Sequence, residues 1–358
     1  MGWSSWNGFR VNISEQLIRE TADIMVSSGL KRAGYRYVNI DDGWGYGRDE
    51  NGIVTCRKDR FPSGMKALAT YIHKKGLKAG IYTDAGTENC GIIWDNEQIP
   101  GYGTYNHEKQ DMHTYFIDWG YDFLKVDWCG GQKLNLQPQT QYTKIQKAIK
   151  ATGKPIFYNI CCWEFPGNWV SKVGHSWRIG KDIRVEYHQW CDLAETAEKL
   201  AQHQGPGHFN DLDMLQIGQG ASPSEDKSHF ALWCMLAAPL ILGNDLRTMS
   251  AQTKAIVTNR EAIAINQDPL CLCARRVVCG LQQVWTKPLA DKGLAVLLQN
   301  KTDQSAIISV SREQLGISSR ARRVRMVRDV WSHKNMGPLK ADISVEVKPH
   351  DVAMIRIK

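Results

Sequence analysis

No apolar run in this sequence reaches the length needed to cross a bilayer, which excludes a transmembrane helix. The opening residues Met1-Gly-Trp-Ser-Ser-Trp6 lack the regions of a signal peptide, and the abrupt start on a strand-like motif suggests a leader already trimmed. No two cysteines stand in C-x-x-C spacing, so a thiolate zinc site is not expected. No glycine-rich phosphate loop follows a strand-like segment, and low-complexity tracts are absent. Arg320, Arg322, Arg323, Arg325 and Arg328 crowd one late segment. Without interleaved aromatics or a nucleic-acid motif they read as a solvated strand face.

What is present is the composition of a globular chain. Its 358 residues are 42% hydrophobic and 23% charged, with a net charge of +8, enough for a substantial core and two domains. Tryptophan is abundant, at 13 residues, which fits either core packing or flat faces for stacking on sugars. The 10 cysteines are an even number, compatible with disulfides and export. Asn12-Ile-Ser and Asn300-Lys-Thr match the glycosylation sequon, a pattern common by chance, and neither settles the compartment.

From the N-terminus to about residue 246 one phrase recurs: a short apolar strand, a polar or aromatic cluster at its C-terminal end, then a helical pattern. The predicted strands are 2–6, 35–40, 77–82, 123–126, 156–160, 176–178, 209–214 and 239–242. Helical spacing runs over 14–29, opened by Ser14, and over 64–75, stopped by Gly76. About eight such units in roughly 250 residues predict an α/β fold, a (β/α)8 TIM barrel over residues 1–269. Residues 270–358 change to alternating strands at 282–285, 294–299, 305–310, 324–329 and 353–357, which predict a C-terminal antiparallel β-sandwich.

A barrel gathers its chemistry at the carboxyl ends of its strands. There the sequence places Trp6, Asp41 and Asp42, Tyr82 and Asp84, Lys125 and Asp127, Cys161 to Trp163, Arg178 and Asp182, Asp211 and Asp213, then Asn244 and Asp245. Lys125 and Asp127 are two apart on one strand and so share a side, and a cation there favours an ionised acid. Taken alone, the pair reads first as a structural ion pair at a strand end, and only the residues around it favour chemistry. Two carboxylates from different strands suit glycosidic cleavage, with Asp127 ionised and Asp182 carrying a proton if burial raises its pKa. Arg178, four residues before Asp182, works against that proton. Asp41-Asp42 with Trp44 nearby suits chelation of two sugar hydroxyls if the chain bends at the strand end. A hydrated loop is the alternative. The spacing of Asp211-Leu-Asp213 puts both acids on one side, as ligand contacts or a barrel-floor salt bridge. The recurring Arg, Lys and Trp partners suit a neutral sugar better than a metal, and no cofactor is called for.

Seven motifs in order carry a resemblance: Met1-Gly-Trp-Ser-Ser-Trp-Asn7, Val38-Asn-Ile-Asp-Asp42, Gly80-Ile-Tyr-Thr-Asp-Ala-Gly86, Leu124-Lys-Val-Asp127, Trp177-Arg178 to Asp182, Asn210-Asp-Leu-Asp-Met214 and Ala238-Pro-Leu240. Together they resemble glycoside hydrolase family 27, the melibiase-type α-galactosidases and α-N-acetylgalactosaminidases. The resemblance implies a retaining exo-hydrolase releasing terminal α-linked galactose, with Asp127 as nucleophile and Asp182 as acid/base. It implies that Trp6, Asp41, Asp42, Tyr82, Lys125, Cys162, Trp163, Arg178 and Asp213 line the sugar subsite, Asp41 and Asp42 taking the 4- and 6-hydroxyls. Aspartate rather than glutamate at 42 leaves room for a hexose rather than an arabinopyranose.

The resemblance further implies a Cys90–Cys129 disulfide beside the pocket. A second family disulfide is missing, its positions being Val11 and Gly43, which implies a first loop held by packing alone. Cys162 stands where the α-galactosidases carry glutamate and the N-acetylgalactosaminidases serine, and so bears on the preference at C2. Residues 91–105 look like an insertion forming a lip over the aglycone side. The implied partner is a galactose-containing glycan, with no nucleic acid and no membrane, and the implied location is secreted, periplasmic or, in a eukaryote, lysosomal. The alternatives are an α-N-acetylgalactosaminidase, a β-L-arabinopyranosidase, or a non-catalytic sugar-binding protein.

Overall fold

Eight short parallel strands organise the first two-thirds of the chain in the computed structural model, which describes residues 1–318, 325–339 and 342–358. They are β1 (Gly2–Ser4), β2 (Tyr37–Ile40), β3 (Lys78–Asp84), β4 (Phe123–Asp127), β5 (Phe157–Ile160), β6 (Ser176–Arg178), β7 (Phe209–Asp211) and β8 (Ile241–Leu242). They follow one another in the sheet order β8-β1-β2-β3-β4-β5-β6-β7, the (β/α)8 barrel that the alternating phrase predicts. β1 stops at Ser4 and β7 at Asp211, short of the predicted ends, whereas β3 and β4 run past their predicted ends and carry Asp84 and Asp127 in the ladder as paired residues.

The chain divides into two compact units, Met1–Asp182 with Ile241–Met249, and Ile183–Leu240 with Ser250–Lys358. In the first, β3 and β4 are buried on both faces, as parallel strands covered by helices must be. Their register sets Tyr82 opposite Lys125 and Asp84 opposite Asp127, and β5 sets Asn159 opposite Lys125. Helix Glu15–Ser27 begins where Ser14 Oγ accepts the Leu17 amide at 3.3 Å. Helix Met65–Lys74 ends before Gly76, whose φ of +69° suits glycine. The loops after β3 and β4 touch backbone to backbone: a Cβ on Gly86 would lie 2.1 Å from the Gly130 carbonyl carbon. A hairpin that the sequence pattern does not announce, Gly45–Arg48 with Val54–Cys56, follows β2.

In the second unit a six-stranded antiparallel sheet runs in the spatial order Arg275–Val278, Gln282–Pro288, Leu294–Asn300, Val352–Ile357, Met326–Asp329, Lys334–Pro338. Ala306–Val310 pairs with Ile343–Val347, and Val284, Val296, Leu298, Ile308, Ile355 and Ile357 fill the core between them. This is the predicted antiparallel β-sandwich, with three strands the sequence reading missed. Helix Pro223–Met235 opens on a full capping box, Ser222 with Glu225, and its Lys227 pairs with Asp351 at 2.6 Å. Arg328 pairs with Glu261 at 2.6 Å, whereas Arg320, Arg322, Arg323 and Val324 lie outside the described residues.

Six of the 13 tryptophans that admitted two readings are fully buried in the core: Trp3, Trp44, Trp177, Trp190, Trp233 and Trp285. The Asn300 sequon is structural, since its buried amide nitrogen bonds the carbonyls of Gln304, Val347 and Lys348. Asn12 is exposed. No described helix is long and apolar enough to cross a membrane.

Candidate active site

The centre of the site is an ammonium shared between two acids from different strands. Lys125 Nζ lies 3.0 and 3.2 Å from the two oxygens of Asp41 and 3.7 Å from Asp127 Oδ2. Asp41 is fixed from β1, where Ser4 Oγ donates to its Oδ2 at 3.1 Å and Ser5 Oγ accepts its amide at 3.0 Å. Tyr82 reaches the same place from β3, with Lys125 Nζ 5.4 Å from its ring centroid.

Asp127 departs from the sequence expectation that its lysine neighbour makes it a readily ionised acid. Burial pushes its carboxyl up to about 6, the Lys125 ammonium opposes this only in part, and the charges of Asp41 and Asp182 add to the rise. The physical reason is that Lys125 sits closer to Asp41, so Asp127 gets the weaker share of one cation. Asp127 Oδ1 accepts no hydrogen bond from the described residues.

Cys90 and Cys129 are joined, as the resemblance implies, and Cys90 Sγ lies 3.4 Å from Asp127 Oδ2. Behind them Asp84 Oδ1 accepts the amides of Gly86, Gly130 and Gly131 at 2.6, 3.0 and 3.2 Å, tying the two loops together. Burial lifts Asp84 to about 8, so it is mostly neutral at pH 7. Asp84, Cys90 and Cys129 have the spacing of a metal-ligand set, but both sulfurs are committed to each other.

Asp42 does more for the structure than the sequence suggested. It is fully buried beyond the end of β2; its Oδ1 accepts from Gly43 N, Asn89 Nδ2 and the Tyr102 hydroxyl, and its Oδ2 accepts from Gly91 N at 2.6 Å. It thereby ties the end of β2 to Asn89, Gly91 and Tyr102, while Gly43 beside it packs against Val11 of the first loop. Gly43 has φ +102°, and a Cβ there would lie 2.5 Å from the Val11 carbonyl oxygen. Nor is this loop held by packing alone, because the Arg60 guanidinium donates to that same oxygen. Trp44, predicted beside the sugar, is instead buried with its indole N–H on the Tyr82 carbonyl at 3.0 Å.

Arg178, at the end of β6, is buried and donates to Asp182 Oδ1 at 3.1 Å and to the Gly180 carbonyl at 3.0 Å. The Asp182 side chain is 63% exposed, so burial is not what would hold a proton there. Cys161 Sγ lies 3.7 Å from Arg178 Nη1. Cys162 is a half-buried free thiol that donates to the Glu164 carbonyl at 3.7 Å, and burial raises it to about 12, so it stays protonated. Trp163 follows with φ +59°, an uncommon conformation for a bulky residue and one concentrated at functional sites. Trp6 is half-buried under the Arg10 guanidinium, 5.0 Å from its ring.

Asp213 belongs to the second unit. Its φ is +78°, and its oxygens accept the amides of Ile183 at 2.9 Å and Met214 at 2.7 Å. The strand has ended by then, so the period of two that would set Asp211 and Asp213 on one side does not apply. Ser4, Ser5, Asn89 and Tyr102 are contributors that sequence reasoning missed. Only the two serines carried a signal, as hydroxyls inside the first motif.

Residues 1–268 match the family model described as α-galactosidase A, and residues 279–357 match the α-galactosidase C-terminal β-sandwich domain. α-Galactosidase 2 of Arabidopsis thaliana is 41% identical over 359 residues, covering 99% of this chain and 88% of that protein. The crystal structure of α-galactosidase I from Mortierella vinacea superposes with a TM-score of 0.91 at 33% identity, covering all of this chain and 96% of that one. The Saccharomyces cerevisiae α-galactosidase solved with raffinose gives 0.88 at 26% identity, covering all of this chain and 97% of that one. With both halves of the chain matched and a relative above 40% identity along nearly its whole length, this chain belongs to the α-galactosidases of glycoside hydrolase family 27.

Proposed function

We propose that this chain is a retaining exo-α-galactosidase in which Asp127 is the nucleophile and Asp182 the acid/base. The observation that supports it best is the state of Asp127: one oxygen has no protein donor among the described residues, the other faces a shared ammonium, and the Asp182 charge reaches it. A carboxylate committed to structure would have both oxygens satisfied, as Asp42 does.

In the first step an Asp127 oxygen bonds to the sugar C1 while the C1–O glycosidic bond breaks, and the departing oxygen takes the Asp182 proton. In the second, Asp182 accepts a proton from water, the water oxygen bonds to C1, and the bond to Asp127 breaks. Two inversions leave the anomeric configuration unchanged. Lys125 and Asp41 hold ring hydroxyls, with Trp6, Tyr82, Trp163 and Arg178 around them. The exposure of Asp182 suits a group that must meet both a leaving sugar and a water.

The test is a panel of nitrophenyl glycosides with the first-formed anomer followed by NMR. Hydrolysis of the α-galactoside with α-galactose appearing first is expected. β-Galactose appearing first, or preference for a sugar other than galactose, overturns the reading.

Cys162 bears on the second sugar position. A thiol that stays protonated and is turned to the Glu164 carbonyl offers little to a 2-hydroxyl and leaves space for a larger group. Cys162→Glu is expected to raise the galactose to N-acetylgalactosamine kcat/KM ratio about tenfold, by one charge-assisted hydrogen bond gained and one acetamido group excluded. An unchanged ratio removes Cys162 from the specificity of the site.

A further inference from the structure

Residues 91–105 are fastened to the candidate site at several points. Gly91 N and the Tyr102 hydroxyl hold Asp42, and Asp95 pairs with the Arg10 guanidinium that lies over Trp6. Glu97 Oε1 pairs with Arg57 at 2.9 Å and lies 3.9 Å from Arg60. Its apolar residues Ile92, Ile93 and Ile99 are half-buried and Tyr102 is buried. Trp94 is the exception, 65% exposed at the end of helix Cys90–Trp94.

That indole is not loose. Its Nε1–H donates to Cys129 Sγ at 3.2 Å, Cys129 is bonded to Cys90, and Cys90 Sγ lies 3.4 Å from Asp127 Oδ2. Three successive contacts therefore join an exposed aromatic ring to the carboxylate proposed to attack C1. A tryptophan whose polar edge is bonded and whose ring stays in water keeps a large apolar area unburied, which is unfavourable unless a ligand covers it. Galactose goes into the buried pocket, so the part of a substrate that meets the rim is whatever galactose is attached to.

We propose that Trp94 is a binding residue for the aglycone, stacking on the apolar C–H face of the sugar next to the terminal galactose. This rests on the α-galactosidase reading and deepens it by assigning a residue to the sugar that precedes the terminal galactose. The bond from the indole N–H to Cys129 sets the position of the ring before a ligand arrives, which lowers the ordering that binding requires.

The test compares raffinose, which carries sugars beyond galactose, with α-galactosyl fluoride, whose leaving group is one atom. Trp94→Ala is expected to lower the ratio of kcat/KM for raffinose over the fluoride about tenfold, the worth of a good aromatic stacking contact. A ratio cancels the fraction of active protein, so partial misfolding does not imitate the effect. Trp94→Phe, which keeps a ring but not the N–H, is expected to hold the ratio within about threefold. A Trp94→Ala ratio within twofold of the parent overturns the proposal while leaving the activity reading intact. Failure of the parent enzyme on both substrates instead overturns the activity reading, and this inference with it.

Discussion

Asp127→Asn is expected to lower kcat on α-galactosides by roughly a thousandfold or more while galactose still binds, because an amide cannot form the glycosyl-enzyme bond. The substitution is sterically neutral. Asp127 Oδ2 is 3.7 Å from Lys125, and the hydrogen bond from the Cys161 thiol to the carboxylate is one that an amide oxygen can keep. Loss of activity then reports chemistry rather than collapse, which the unfolding midpoint checks. The smaller Asp127→Ala variant gives a second readout. With α-galactosyl fluoride and azide, the azide nitrogen bonds to C1 from the face the carboxylate has vacated and fluoride leaves with its electron pair. β-Galactosyl azide is the expected product. An Asp127→Asn enzyme within tenfold of the parent, or rescue that yields the α-azide, would falsify the nucleophile assignment.

The sequence carried the barrel because short apolar runs alternate with helical patterns, and polar or aromatic residues recur at one phase, at or just beyond the end of each run. Lys125 and Asp127 were legible as a pair, since two residues on one strand share a side whatever the rest of the chain does. The disulfide of Cys90 and Cys129 was legible only through the resemblance. The hairpin Gly45–Arg48 with Val54–Cys56 was not legible, because Gly-Tyr-Gly-Arg has no alternation to show. Strand Lys334–Pro338 was missed for a related reason: Lys-Asn-Met-Gly-Pro has low strand propensity and pairs as the last strand at the sheet edge. The structural work of Asp42 depends on Asn89, Gly91 and Tyr102, which come near it only when the lip folds over. The sharing of one ammonium between Asp41 and Asp127 is likewise a matter of distances, and it reverses a conclusion that adjacency alone supported.

That sharing has its consequence in the pH profile. Asp127 attacks as the carboxylate, and its pKa in the free enzyme is raised to about 6, so kcat/KM is expected to be full above that value and to fall as pH drops through it. The first cause is burial; Lys125 counters it, and the charges of Asp41 and Asp182 reinforce it. Lys125→Met removes the cation that opposes this rise. The acid limb is then expected to move upward by about one pH unit or more, the usual effect of an adjacent opposite charge. A lysine that only bound substrate would raise KM and leave the limb in place, whereas the shared ammonium moves both. An acid limb within about 0.3 units of the parent in Lys125→Met would show that the electrostatics of Asp127 are set elsewhere.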